Sequence, residues 1–490
     1  MLSSSQASAL RHCLGAADFT VDAVQTLLGP AAQRAMARNE TVAARRVTSD
    51  GSPLATLIRL FTLQVPVARA QADAALPGLI GDMTAARMLE TSGDQVRALV
   101  DVRPYGDDDH DWWIVCDLTP GLDRSPRHVT NDHVLGISEA SSSLAQLTVR
   151  TPVGRALDLG TGCGVQALHL STHAREVVAT DVNPRALDMA RLTAALNGIE
   201  VDVRDGSLYE PVAGETFDLI TTNPPFVVSP DGSERFTYRD SGMSGDDVVR
   251  TIVTEAPGML NDGGWVQVLA NWVHTRDTSW QDRLAAWIEP TGLDAWVLQR
   301  EAADLPAYVE MWLDDAGLAG TPAYTQRYDE WLAWFEAERI EAIGFGWLCL
   351  RKSGRETPVV QLEEWPFEIE QPLGPHVALW GERAGRVASM GDDELLAHHW
   401  TSAPDVIQEA VGPVGAADPE HLVVRLQRGV RRARTVDTVE AGLLGASDGD
   451  LSAGQVLDAL ATLLDHNPRD LRTGYAGAVR DLAREGFLLP

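Results

Sequence analysis

Residues 155–164 read Arg-Ala-Leu-Asp-Leu-Gly-Thr-Gly-Cys-Gly and are the strongest indication of the fold. It begins as a short apolar segment, and the helical pattern Val165-Gln-Ala-Leu-His-Leu follows it, so the glycines lie in a turn between a strand and a helix. Glycine adopts backbone conformations that other residues avoid, and it lets the backbone approach a ligand closely. The sequence therefore predicts a ligand-binding turn at the carboxyl end of a strand.

The spacing of these glycines distinguishes two kinds of ligand. A dinucleotide-binding turn has the pattern Gly-x-Gly-x-x-Gly, and its amides cradle a pyrophosphate at a helix N-terminus. Here the pattern is Gly160-x-Gly162-x-Gly164, and Asp158 precedes it. A carboxylate directed into the turn repels phosphates and suits a cationic ligand that carries an amino acid. This favours S-adenosylmethionine over a nicotinamide cofactor.

Strand and helix patterns alternate downstream of this turn, which predicts βαβ units and a parallel sheet. The expected strands are 155–159, 176–180, 200–204, 217–222 and 264–270, with a last buried strand at 343–351. The predicted fold class is α/β, with a doubly wound, Rossmann-like central sheet flanked by smaller α+β modules.

Acidic residues follow the first three strands: Asp158, Asp181 and Asp205. Because the carboxyl ends of parallel strands meet at one edge of a sheet, these acids are expected near a common ligand. Asp181 is predicted to accept both ribose hydroxyls, and Asp205 to accept from the adenine amino group. The predicted cofactor-binding residues are Asp158, Gly160, Thr161, Gly162, Gly164, Asp181, Asp205, Gly206, Ser207 and Asn223.

The fourth strand ends in Thr222-Asn-Pro-Pro-Phe226, which predicts the acceptor site. An amide or exocyclic amino nitrogen has a delocalised lone pair and attacks a sulfonium methyl poorly. The side-chain carbonyl of Asn223 and the backbone carbonyl of Pro224 can each accept one hydrogen of an NH2 group and so direct its lone pair at the methyl. Prolines fix φ at about −65° and hold such acceptors rigidly, and Phe226 can stack on a planar group. The predicted catalytic residues are Asn223, Pro224, Pro225 and Phe226.

These motifs resemble those of the class I methyltransferases of the release-factor glutamine methyltransferase and ribosomal-RNA guanine or adenine N-methyltransferase type. The matching segments are 156–164, 179–186, 217–226 and 238–246. The resemblance extends roughly from His128 to Arg351. It implies that the three acids bind the cofactor and that Asn223–Phe226 holds the acceptor nitrogen. It also implies that residues 134–143 border the cofactor or acceptor pocket.

The regions before and after this central segment fall outside the resemblance, and we expect them to determine which substrate is bound. Residues 1–130 show helical stretches followed by a hairpin signal in 95–102 and 112–118, which predicts a winged-helix-like module. The predicted methyltransferase domain spans 131–355. Residues 356–490 are predicted to form a second winged-helix-like module, after boundary signals at Glu364-Trp-Pro-Phe and at Gly412–Pro419.

The composition indicates where the protein is located and which kinds of site it contains. The chain has 490 residues, of which 44% are hydrophobic and 22% charged, as in soluble globular proteins. We find no export signal and no stretch near the ~20 apolar residues of a membrane span. The four cysteines lack CxxC pairing, which predicts a reducing cytoplasm without disulfides or a zinc site. Cys163 is interpreted as a small side chain in the turn, and the acidic run 107–111 as a solvated turn rather than a metal site.

The net charge of the chain indicates which kind of macromolecule it binds. The formal charge of −30 argues against nonspecific coating of nucleic acid, because that affinity comes from neutralised phosphates. The densest basic cluster consists of five arginines: Arg425, Arg428, Arg431, Arg432 and Arg434. This arginine cluster can hold RNA phosphates, contact an acidic protein surface or pair internally with nearby acids. The tryptophan-rich stretch 265–347 can stack on bases, but packing in the core is the favoured interpretation.

The predicted function is S-adenosylmethionine-dependent N-methylation of a planar NH2 group on a macromolecular substrate. A glutamine or asparagine amide of a protein and an amino group of an RNA base both fit the acceptor motif. Overall acidity favours protein, whereas the two winged-helix-like modules and the arginine cluster favour RNA. The alternative is a noncatalytic binding or regulatory protein that retains the fold. Neither a metal nor a membrane partner is expected.

Overall fold

The computed structural model describes residues 2–125, 129–230, 243–414 and 419–490. The N-terminal region contains helices that pack around two small antiparallel ladders. Its helices are α1 (Ser4–Ala16), α2 (Val21–Met36), α3 (Val42–Val47), α4 (Pro53–Leu57), α5 (Arg69–Ala75) and α6 (Ile80–Ala85). Its strands are β1 (Val67–Ala68), β2 (Leu89–Ser92), β3 (Gln95–Ala98), β4 (Asp101–Gly106) and β5 (Asp111–Cys116).

The hairpin predicted for this region is wrong in its first arm. The predicted first arm, 95–102, divides into two strands: β3 pairs back with β2, and β4 pairs forward with β5. The division arises because Gly93, at φ 58°, reverses the chain between β2 and β3 and so gives β3 its own partner. The acidic run 107–111 turns between β4 and β5, where Asp107 accepts from the backbone N–H of Asp109 and lies 2.8 Å from Nδ1 of His110.

The central region is built on one eight-stranded sheet. Its strands are β6 (Val153–Leu159), β7 (Ala174–Asp181), β8 (Asp202–Asp205), β9 (Phe217–Thr222), β10 (Leu260–Thr275), β11 (Asp294–Asp304), β12 (Ile340–Arg351) and β13 (Val360–Glu364). The helices of this region are α7 (Glu139–Leu147), α8 (Val165–Ser171), α9 (Pro184–Asn197), α10 (Asp247–Met259), α11 (Trp280–Ile288), α12 (Leu305–Asp315) and α13 (Pro322–Ala337).

The strand order is β13-β11-β12-β10-β9-β6-β7-β8, and β12 runs antiparallel to both of its neighbours while the other pairs are parallel. The predicted doubly wound α/β sheet is confirmed. The chain moves outward from β6 to β8 and then returns to the other side at β9, so β6 and β9 flank the switch point, where such sheets bind ligands. Sequence patterns did not predict β11 and β13, which lie at the far edge.

Apolar side chains cover both faces of the sheet. Seven tryptophans of the stretch 265–347 are buried: Trp265, Trp272, Trp280, Trp287, Trp296, Trp331 and Trp347. The packing interpretation of this stretch is confirmed for these residues. Helices α8 and α9 also contribute to a core shared with the N-terminal region, through Leu168, Leu192 and Leu196 among others.

The C-terminal region combines a three-stranded ladder with a helical cluster. Its helices are α14 (Gly374–Ser389), α15 (Asp392–Ala397), α16 (Thr438–Ala446), α17 (Ala453–Leu463) and α18 (Pro468–Glu485), and its strands are β14 (Thr401–Ser402), β15 (Val406–Val411), β16 (His421–Leu426), β17 (Ala433–Val436) and β18 (Leu488–Leu489). Ser452 caps α17 by accepting from Gln455 N–H. The winged-helix character of both flanking regions and the domain limits 1–130, 131–355 and 356–490 stay predictions.

Within the described ranges, we find no helix that is both long and apolar enough to cross a membrane. The same residues contain no cluster of three or more His, Cys, Asp or Glu side chains arranged to hold a metal ion. All four cysteines are buried free thiols.

Candidate functional site

A cavity of about 320 Å³ lies at the carboxyl edge of the sheet, where β6, β7 and β9 end. Four segments supply most of its wall: 133–138, 159–163, 180–183 and 222–225. The glycine turn and the acceptor motif therefore face the same space.

The glycine turn has the backbone conformation that its composition predicts. Gly160, Gly162 and Gly164 have φ values of 75°, 56° and 89°, in the left-handed region that favours glycine. The backbone N–H groups of Gly160 and Thr161 both donate to the Thr180 carbonyl oxygen at 2.9 Å. This contact fixes the turn against the end of β7.

Asp181 ends β7 and lines the cavity. One oxygen, Oδ2, accepts from Gly162 N–H at 2.9 Å, and the other, Oδ1, accepts from Asn183 N–H at 2.8 Å. Burial raises the pKa of this carboxyl. Since each carboxylate oxygen has two lone pairs, both retain capacity for a ligand hydroxyl.

Asp158 lies beneath the turn and is absent from the cavity wall formed by the described residues. It is 1% exposed, and its Oδ2 accepts from the Thr161 hydroxyl at 2.6 Å and from Ala167 N–H at 3.0 Å. Burial raises the pKa of this carboxyl to about 7. Asp158 thus organises the turn and the start of α8 from within the protein.

The end of β8 contributes backbone and small side chains. Gly206 and Ser207 line the cavity, whereas Asp205 is exposed and lies next to Asp181 in the strand register. Gly206 donates its N–H to the Asp181 carbonyl oxygen at 3.1 Å. A side chain at Gly206, where φ is 146°, would place its Cβ only 2.5 Å from Pro211 Cγ. Glycine is therefore required for this close approach.

The acceptor motif forms the opposite wall. Asn223, Pro224 and Pro225 line the cavity, and Phe226 instead packs against the core on the sheet. The Thr222 hydroxyl donates to the Leu159 carbonyl oxygen at 2.7 Å, which ties the motif to the end of β6. Asn223 Oδ1 is buried, and no donor among the described residues reaches it.

The structure brings together most of the predicted site residues. Those that line the cavity are Gly160, Thr161, Gly162, Asp181, Gly206, Ser207, Asn223, Pro224 and Pro225. Asp158, Gly164, Asp205 and Phe226 lie beside or beneath it. The matched segment 238–246 falls partly outside the described residues; Met243, near its end, contributes to the wall.

Cys163 also lines the cavity. Burial raises the pKa of its thiol to about 12, so this side chain stays protonated near neutral pH. A small neutral side chain is therefore present at this point of the turn.

The segment 133–138 closes the cavity from the N-terminal side, and His133 in it was not predicted. Asp117, just after β5, holds this segment by accepting from Val134 N–H at 2.9 Å, and the same carboxylate pairs with Arg185 of α9. Asn183 donates from its side chain to the Asp132 carbonyl oxygen at 2.9 Å. The family resemblance implied that residues 134–143 border the pocket, and the first half of that segment forms part of this wall. No sequence pattern indicated the contacts to Asp117 and Asn183, because they join residues that are distant along the chain.

The central segment is similar to known proteins. Residues 136–278 match the family model described as methyltransferase small domain. The motif-based resemblance to methyltransferases is confirmed for this segment. Residues 16–99 match a second model, described as a domain of unknown function (DUF7059).

Curated relatives match part of the chain. The release factor glutamine methyltransferase of Xylella fastidiosa (strain Temecula1) is 38% identical over 129 residues, which cover 24% of this chain and 47% of that protein. The ribosomal RNA small subunit methyltransferase C of Salmonella arizonae is 34% identical over 130 residues, which cover 26% of this chain and 34% of that protein. The chain thus spans less than half the length of either relative.

Among solved structures, the T. Thermophilus 16S rRNA methyltransferase in complex with AdoMet and guanosine is 16% identical and superimposes with a TM-score of 0.28. The match covers 50% of this chain and 66% of that chain. The strand order of the central sheet itself shows its doubly wound α/β class.

The arginine cluster lies in and around the C-terminal ladder, and acidic side chains neutralise it. The pairs are Arg425 with Glu409 at 2.8 Å, Arg428 with Glu370 at 2.7 Å, Arg431 with Glu368 at 3.4 Å, Arg432 with Glu363 at 2.7 Å and Arg434 with Glu440 at 2.9 Å. Of the three interpretations open from the sequence, internal pairing is the one that the structure shows.

Proposed function

We propose that this protein transfers a methyl group from S-adenosylmethionine to a planar NH2 nitrogen. The observation that carries the proposal is the side-chain oxygen of Asn223, which is buried at the cavity and lacks a donor among the described residues. A buried acceptor without a partner costs free energy, and this one lies beside the cavity, where a ligand can reach it. An incoming N–H group supplies the missing donor.

The cavity fits the proposed cofactor. S-adenosylmethionine supplies an electrophilic methyl group when bound. The volume of about 320 Å³ lies within the range of roughly 300–1,000 Å³ that is usual for small-molecule sites. Asp181 has acceptor capacity for two ribose hydroxyls, and Gly160 and Gly162 leave room above the turn because they have no side chains.

The chain's contribution to the reaction is positioning. Asn223 and the Pro224 carbonyl each hold one N–H of the acceptor, which makes the nitrogen more tetrahedral and aims its lone pair. The prolines keep these acceptors in place, since their φ angles are fixed. Positive charge develops on the nitrogen as it attacks, and the two oxygens stabilise that charge. The methylated cation then loses a proton to water, so no strong base is needed.

A protein amide is the acceptor that we favour over an RNA base. RNA affinity depends on cationic side chains that are free to neutralise phosphates. The five arginines of the cluster pair with glutamates instead, and the formal charge of the chain is −30. Both observations support a glutamine or asparagine side chain as the methyl acceptor.

The test uses S-adenosylmethionine with a labelled methyl group and a lysate from cells that lack the protein. We expect the purified protein to transfer label to material that protease destroys and ribonuclease leaves intact. Label lost only to ribonuclease would instead assign an RNA base. The Asn223→Ala variant is the control, because it removes the proposed contact to the acceptor and leaves Asp181 and the glycine turn unchanged.

The noncatalytic alternative predicts a different result in the same assay. A folded protein that transfers no label and fails to bind S-adenosylmethionine in calorimetry would support that alternative.

A further inference from the structure

We propose that Tyr308 is a positioning residue for the methyl acceptor. Tyr308 lies on α12, the first of two helices inserted between β11 and β12. The inference rests on the proposed function and adds to it a residue that lies in neither predicted motif. It assigns a role in the reaction to the α12–α13 insertion.

The key contact joins this insertion to the backbone that follows the acceptor motif. Tyr308 is 0% exposed, and its hydroxyl oxygen accepts from Val228 N–H at 2.8 Å. The Asn271 side-chain nitrogen lies 3.4 Å from the same oxygen, at the outer limit of a hydrogen bond. Val228 follows Phe226 closely along the chain, so the contact fixes the C-terminal side of the motif.

Aromatic neighbours hold the Tyr308 ring in place. Its centroid lies 6.1 Å from that of Trp312, 6.2 Å from Trp331, 6.3 Å from Phe335 and 5.9 Å from Phe345. Val227 and Val228 belong to the same apolar cluster. A ring packed on several sides has little rotational freedom, so its hydroxyl oxygen is a fixed acceptor for the Val228 amide.

The acceptor motif is therefore held at both ends. On one side, Thr222 donates to the Leu159 carbonyl oxygen at 2.7 Å and ties the motif to β6. On the other side, Tyr308 holds Val228. Two anchors are needed because the prolines fix φ within the motif but leave its placement against the cavity to the flanking backbone.

The consequence for the reaction follows from geometry. Methyl transfer requires the acceptor nitrogen to lie close to the methyl and in line with it, so small displacements of its holders reduce turnover strongly. Tyr308 does not line the cavity, and the cofactor contacts proposed for Asp181 lie on the opposite wall. Loss of the Tyr308 hydroxyl should thus lower kcat and leave cofactor affinity unchanged.

The experiment compares Tyr308→Phe with Tyr328→Phe in the full-length protein. Tyr328 is the matched control, because its hydroxyl donates to Glu310 at 3.1 Å on the outside of the same helix pair. The measurements are hydrogen exchange of the Val228 amide, kcat and KM for transfer of the labelled methyl group to the lysate protein that the wild type labels, the dissociation constant of S-adenosylmethionine, and the melting temperature.

We expect Tyr308→Phe to speed exchange at Val228 and to lower kcat by about ten- to a hundredfold, with cofactor affinity retained. Tyr328→Phe should resemble the wild type in all four measurements. Unchanged exchange at Val228, or an unchanged kcat, would overturn the inference. Equal losses of kcat, cofactor affinity and melting temperature would also overturn it, because they indicate general destabilisation.

These outcomes separate the inference from the proposed function. If the wild type transfers no methyl, the proposed function fails and the positioning role falls with it. If the wild type is active and Tyr308→Phe is equally active, only the role of Tyr308 is lost.

Discussion

The carboxylate of Asp181 accepts a hydrogen bond from the backbone N–H of Gly162 at 2.9 Å. The contact joins the end of β7 to the glycine turn after β6. This one carboxylate has two roles: Oδ2 fixes the turn, and Asp181 lines the cavity with spare lone pairs on both oxygens. The shape of the proposed cofactor site and its ribose contacts therefore depend on the same side chain.

Replacing Asp181 with asparagine should weaken binding of S-adenosylmethionine. A hydrogen bond to a charged group contributes roughly 1.5–3 kcal/mol, which corresponds to about a ten- to hundredfold increase in Kd. Calorimetric titration measures the change. Asp188→Asn, at an exposed position on α9, is the control and should bind like the wild type. Equal affinities for Asp181→Asn and the control would remove Asp181 from the cofactor site.

Asn223→Ala should reduce turnover and leave cofactor binding intact. By analogy with the loss of one preorganised oxyanion-hole donor, we expect a cost on the order of 10²–10³ in rate. Steady-state transfer of the labelled methyl group from S-adenosylmethionine measures the loss, and calorimetry checks the affinity. Asn131→Ala, at an exposed asparagine, serves as the control. Full turnover by Asn223→Ala would contradict the acceptor role.

Stability should depend on pH through Asp158. Burial raises the pKa of this carboxyl from 3.8 to about 7, so the folded state binds its proton more tightly than the unfolded state does. The stability that Asp158 contributes is fully present below pH 3.8 and is lost as the pH rises through about 7. The free energy of unfolding of the wild type, minus that of Asp158→Asn, should fall across this range.

Urea unfolding of both proteins at several pH values measures that difference. A difference that rises with pH would mean that the Thr161 and Ala167 hydrogen bonds outweigh burial at Asp158.

Two neighbouring arginines should differ in their contribution to stability. The Arg432 side chain is 11% exposed, pairs with Glu363 at 2.7 Å and lies over the Trp365 ring. Arg432→Ala leaves a largely buried carboxylate unpaired and should lower the free energy of unfolding by about 3 kcal/mol. Arg431→Ala removes an exposed pair and should cost less than about 1 kcal/mol. Chemical denaturation compares the two, and equal effects would contradict a structural role for Arg432.

The sequence predicted those features that local chemistry specifies. Alternating strand and helix patterns predicted most strands of the central sheet, and the strand order confirms the doubly wound class. Three glycines with positive φ confirm the predicted turn, because few other residues adopt that conformation. The acceptor motif after β9 was also evident, since consecutive prolines restrict the backbone wherever they occur.

Strand pairing was harder to predict, because it depends on how strands from separate parts of the chain pack together. The expected hairpin arm divides into β3 and β4 because β3 pairs with β1 and β2, whereas β4 pairs with β5. Likewise, β13 joins the sheet at its edge by pairing in parallel with β11.

The turn, the acceptor motif and the class of the sheet could be predicted from the sequence, because each depends on residues that are close along the chain. Three other relationships became evident only in the folded protein: Asp158 lies beneath the turn, glutamates neutralise the arginine cluster, and Tyr308 holds Val228. These relationships join residues from separate elements. Their geometry is set by how the whole core packs, and local patterns do not encode it.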